Sequence, residues 1–102
     1  MPGRTPVARY RVIHWNEIPS LVEAFEGDQV ARVSLSQRFQ DLIDAVAMRD
    51  GVSETEAYLE GWGHGPDLDH PRSAEEVARH MAALLEVRFQ DVVATRFPPP
   101  AR

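Results

Sequence analysis

Four side chains between residues 64 and 70 are the first that could do chemistry. His64, Asp67, Asp69 and His70 combine imidazole with carboxylate, and both are proper ligands for zinc or another divalent ion. His80 could join them. Their spacing matches no known ligand pattern and does not set the two histidines on one helix face. A solvated polar loop is therefore the plain alternative. His14 and Glu17 offer a second chemistry, since a histidine beside a carboxylate can move a proton. No nucleophile or phosphate-binding loop accompanies them, so no catalytic residue is assigned. The third group is aromatic. Trp62 stands between Gly61 and Gly63, and Tyr58 lies one turn earlier on the same face. Such an aromatic either plugs the core or anchors an interface, where tryptophan is enriched. Trp15, Tyr58 and Trp62 are the candidate partner-binding residues. The acids Glu54, Glu56 and Glu60 read as a solvated helix face beside them.

The elements that must position these residues can be read from periodicity. Residues 8–15 are β-branched and aromatic and predict a strand, with Tyr10, Val12 and His14 on one face and Arg11, Ile13 and Trp15 on the other. Asn16 to Ser20, with Pro19, breaks it. Two runs around Gly27-Asp28 predict a β-hairpin. Its first run, 21–26, suits a helical turn as well, because Leu, Glu and Ala are good helix formers. Ser36 can cap a helix over 37–50, whose apolar stripe is Phe39, Leu42, Ile43, Val46 and Ala47. Gly51 stops it. Ser53 and Glu56 form a capping box for a short helix that ends at Gly61. The stretch 63–72, with two glycines and two prolines, predicts nothing regular. Ser73 and Glu76 form a second capping box. The helix after it could run to about Ala94, or end early where Val92, Val93, Thr95 and Phe97 suit a strand. The expected fold is α+β: a small three-stranded antiparallel sheet followed by three helices packed on one face. One domain is expected over 7–97, between a tail at 1–6 and a Pro-rich tail at 98–102.

Composition narrows the function classes. At 102 residues the chain is one domain, with little room for a deep cleft. It has no cysteine, which excludes disulfides, thiolate metal sites and cysteine nucleophiles. All 11 basic residues are arginine, which excludes a P-loop lysine and a Schiff-base lysine. The net charge of −5 is uneven: residues 17–72 hold 12 acids against 4 arginines. An acidic middle repels phosphate backbones, so no nucleic acid is expected as a partner. The longest apolar run, Met81 to Leu85, is far below the roughly 20 residues of a bilayer helix, so no membrane is expected either. The start of the chain shows no apolar signal-peptide core. With the missing cysteines, that makes the cytoplasm the expected compartment. No Gly-rich phosphate loop, zinc-protease, serine-elbow or calcium-loop pattern is present.

Several runs between Arg11 and Trp62 form a pattern. They are His14-Trp15-Asn16-Glu17-Ile18-Pro19, Leu35-Ser36-Gln37-Arg38-Phe39-Gln40, Ile43-Asp44-Ala45-Val46-Ala47-Met48-Arg49 and Ala57-Tyr58-Leu59-Glu60-Gly61-Trp62. The pattern resembles the small bacterial virulence factor family, whose members share a Trp-x-x-Ile-Pro opening and a Tyr-Leu-x-x-Trp close. The resemblance supplies no catalytic residues. It implies an accessory subunit associated with folate and corrinoid methyl transfer. The expected function is then a small accessory protein that binds another protein subunit, with no cofactor required. The alternative is a metal-binding protein using His64, Asp67, Asp69 and His70. Self-association into a homo-oligomer is the third reading.

Overall fold

A computed structural model describes residues 7–98. The tail expected at 1–6 lies outside the described residues, as does all but Pro98 of the tail expected at 98–102. The chain begins with three antiparallel strands, β1 (Ala8–Trp15), β2 (Ile18–Glu26) and β3 (Gln29–Ser34). The run 21–26 is therefore strand and not helical turn. Pairing with strands on both sides outweighs the weak helix preference of Leu, Glu and Ala. Gly27, at φ +59°, supplies the left-handed residue that a two-residue hairpin turn needs. Tyr10 and Trp15 join the buried core and Val12 packs against it. The simple alternation expected along β1 fails because the register with β2 shifts between Ile13 and His14.

Helix α1 (Gln37–Arg49) follows, and Phe39, Leu42, Ile43, Val46 and Ala47 are all buried, as the stripe predicts. Its start departs from expectation. The Ser36 hydroxyl makes no cap bond to its own helix; its backbone and hydroxyl both donate to Glu86. Its end is a Schellman motif around Gly51, at φ +71°. The Gly51 N–H donates to Met48 O and the Val52 N–H to Ala47 O.

Helix α2 (Glu56–Glu60) is capped by Thr55, not Ser53, with the Thr55 hydroxyl accepting from Tyr58 N. Glu54 precedes it at φ +63°. The stretch 63–72 is not wholly irregular. Two short strands, β4 (Trp62–His64) and β5 (Leu68–His70), both pair with the free side of β1. The sheet is thus five-stranded, ordered β3-β2-β1-β4 with β5 also on β1, and not three-stranded.

Helix α3 (Ala74–Val87) starts on the expected cap, Ser73, whose hydroxyl accepts from Glu76 N. It neither runs to Ala94 nor gives way to a strand. Arg88, at φ −90° and ψ 5°, breaks it, and α4 (Phe89–Arg96) turns away so that Phe89 meets Phe39 edge-on at 4.9 Å. There are four helices among the described residues, not three. Val77 and Ala78 of α3 and Ile43 and Val46 of α1 share one core with Val22 and Ala24 of the sheet. The opposite face carries, by alternation, Arg9, Arg11, Glu23, Phe25, Val30 and Arg32.

Candidate functional site

The end of β1 carries the aromatic site. Trp15 is only 1% exposed. Its indole N–H donates to Tyr58 O at 2.8 Å, and its ring lies tilted against the Tyr58 ring at 5.7 Å. Tyr58 in turn meets Trp62 edge-on at 6.3 Å. Trp15 pairs with Trp62 across β1 and β4, and Asn16 N–H donates to Gly61 O at 2.8 Å. The fold therefore brings the three expected residues together, but not in one role. Trp15 is a core residue, which takes it off the contact surface. Tyr58 and Trp62 are half-buried on top of it.

Two residues that sequence reading passed over stand beside them. Met48 is 73% exposed and Leu59 is 68% exposed. One signal was in the sequence, since Met48 is apolar but lies outside the α1 stripe; for Leu59 it is the structure that shows α2 burying none of its five residues. A depression of about 560 Å³ separates α1 from α2, lined by Asp44, Ala47, Met48, Ser53, Glu54 and Tyr58. Its acids are Asp44 and Glu54, and Glu56 and Glu60 are exposed on α2. The lining joins apolar Ala47, Met48 and Tyr58 to acidic Asp44 and Glu54, with Glu54 held in the left-handed region that non-glycine residues disfavour.

The candidate metal ligands are dispersed. His64 lies opposite Ile13, and His70 opposite Ala8. Five strand positions separate them, roughly 16 Å along β1. Asp69 faces Arg9, with the nearest charged atoms 3.9 Å apart. Strand alternation turns the next residue, His70, to the other face. There its ring meets Tyr10 at 6.3 Å and His80 at 5.9 Å. Among the described residues no group of three or more His, Asp or Glu is placed to hold a metal ion.

The His14 and Glu17 pair is not assembled either. His14 Nδ1 is buried without a hydrogen-bond partner. Glu17 accepts from Arg96 at 2.6 and 3.0 Å and from Thr95 at 3.2 Å, and Arg96 also donates to Asp50 at 2.9 Å. Burial pushes the Glu17 pKa up, but the Arg96 hydrogen bonds and charge outweigh it and leave the carboxyl below its ordinary value. Glu17 is thus a tie between the β1–β2 turn, α4 and the end of α1, and its charge is already committed.

A buried carboxylate, Glu23, lies on the open sheet face. Glu23 accepts from Arg32 at 2.6 Å and from Arg11 at 2.9 Å. The Arg32 bond, aided by Arg11, holds its pKa below the ordinary value against the opposing effect of burial. A lowered folded pKa adds stability above the unfolded value, and this is lost as pH falls through the folded value. Glu23→Gln is expected to cost about 1–2 kcal/mol at neutral pH, since both arginines keep partial access to water. The gap between variant and parent should close as pH drops below about 4, which urea unfolding at several pH values would show.

Comparison with known proteins places the chain. No curated protein matches it, and no solved structure does. A family model described as virulence factor matches residues 13–94. That match reaches past Trp62 through β5, α3 and most of α4, where the sequence pattern showed no likeness. It includes all of the aromatic site. Matched over most of its length, this chain belongs to the virulence factor family.

Proposed function

We propose that this protein works by binding another protein through the surface formed by Met48, Tyr58, Leu59 and Trp62. The observation that carries the reading is the pair of large apolar side chains, Met48 and Leu59, standing mostly exposed beside half-buried aromatics. Met48 shares its depression with Tyr58, and Leu59 follows Tyr58 in α2; exposed large apolar groups next to aromatics mark interaction sites more often than single scattered ones do. Tyr58 and Trp62 supply the rigid aromatic anchors that dominate binding energy at such sites. The acids Asp44, Glu54, Glu56 and Glu60 favour a partner surface that is apolar with arginine or lysine around it. The Trp15 stack beneath holds the anchors in place before contact, which lowers the ordering cost of binding. The resemblance links that partner subunit to folate and corrinoid methyl transfer; the surface argues for a basic-rimmed apolar patch.

The test uses the untagged full chain and lysate of its native host. A stoichiometric protein partner is expected to co-purify at low salt. Met48→Asp combined with Leu59→Asp should abolish capture, a loss of about 2 kcal/mol or more. Because both residues are exposed, the variant should melt like the parent. Capture that is absent, or unchanged by the double variant, contradicts the reading.

A further inference from the structure

The opposite edge of the sheet is a second site. Among the described residues, β3 pairs only with β2. The Leu35 N–H donates to Ser20 O at 2.9 Å, which sets the phase of the ladder. Ala31 and Val33, opposite Ala24 and Val22, turn their backbone groups inward. Val30, Arg32 and Ser34 therefore turn theirs outward. This edge, Gln-Val-Ala-Arg-Val-Ser, has no proline or lysine to blunt it. Its single charge, Arg32, is bound by Glu23 at 2.6 Å. Alongside runs a groove of about 500 Å³ between β3, from Val30 to Val33, and Ala74, Glu75 and Arg79 of α3.

We propose that β3 pairs antiparallel with β3 of a second copy of this chain. The charges beside the groove favour a copy over an unrelated strand. Helix α3 runs in the same direction as β3. It begins beside the hairpin turn, where Ala74 N–H donates to Glu26, and ends past the strand, where Glu86 accepts from Ser36. Glu75 and Arg79 are exposed on it, only 3.8 Å apart at their charged ends. A two-fold axis through Ala31 reverses the second helix. The acid of one copy then approaches the arginine of the other, in both directions at once. The same register sets Ala31 opposite Ala31 and Val30 opposite Arg32. It avoids the like-charge pairing of Arg32 with Arg32 that an axis through Arg32 would force. The helices of both copies stay on one side of a continuous sheet, and the Met48–Trp62 surface takes no part.

Sedimentation of the full chain at rising concentration and low salt tests this. A reversible dimer is expected. Val30→Pro removes an outward N–H and no bond to β2, so it should weaken association about tenfold or more with the fold intact. Glu75→Arg and Arg79→Glu should each weaken it, and the double reversal should restore it. The charge series decides alone if Val30→Pro does not fold. A chain that stays monomeric, or a dimer unmoved by the charge reversals, overturns the proposal.

Discussion

Trp15→Ala is expected to cost about 3–5 kcal/mol, the range for truncating a buried large aromatic. For a domain of this size that is a large share of a total near 5–15 kcal/mol. Three losses combine. The side chain is 1% exposed, so most of its apolar surface leaves a dry environment. The Tyr58 carbonyl loses its indole donor at 2.8 Å. The Tyr58 ring loses the stack beneath it. Helix α2 has five residues and buries none, too few to persist without this support. Urea unfolding should show a lower midpoint with little change in slope. Trp15→Phe should recover much of the loss but not the hydrogen bond. In both variants Trp62 remains as the fluorescent reporter.

Gly61→Ala is expected to cost about 2–3 kcal/mol, and here the sign itself is informative. The Gly61 backbone is ordinary, at φ −69° and ψ −21°. On backbone grounds alone alanine there would stabilise by about 0.4–1 kcal/mol, through the unfolded chain. Space decides otherwise. An added Cβ would lie 2.5 Å from Trp15 Nε1 and 2.9 Å from two further ring atoms. The indole cannot step back, because it is buried and its N–H is held by Tyr58. Gly61 N–H and C=O are also committed, to Ala57 and Asn16. A thermal melt of Gly61→Ala below the parent supports this packing; a melt above it contradicts the close approach.

Much of this architecture is legible in the sequence where local chemistry and burial agree. The α1 stripe from Phe39 to Ala47, the stop at Gly51 and the cap at Ser73 each depend on residues within a turn or two. The parts that were not legible depend on distant partners. Leu68 to His70 has no strong strand preference of its own and is extended only because β1 offers a free side. Ser36 looks like a cap, yet its donors go to Glu86, fifty residues on. Arg88 ends α3 because Phe89 is drawn onto Phe39, not because any breaker residue stands there.

The candidate site divides in the same way. Tyr58 and Trp62 were legible as neighbours, being four residues apart. That Trp15 lies beneath them, and so leaves the surface, follows from the β1–β4 pairing, which no spacing rule shows. Strand alternation also dispersed the His64–His70 set. A polar cluster in sequence becomes two faces and two ends of β1 once β4 and β5 form. Met48 is legible only as an apolar residue out of phase with the α1 stripe, and Leu59 is not legible, because α2 has no buried stripe to set a phase.

The most direct test of the binding surface is hydrogen exchange of the chain, free and in complex with the captured partner. Slowed exchange is expected only at residues 47–62, with the β3 edge at 29–34 unchanged by that partner. Protection at 29–34 or over α3, with 47–62 exchanging as in the free chain, would contradict that surface.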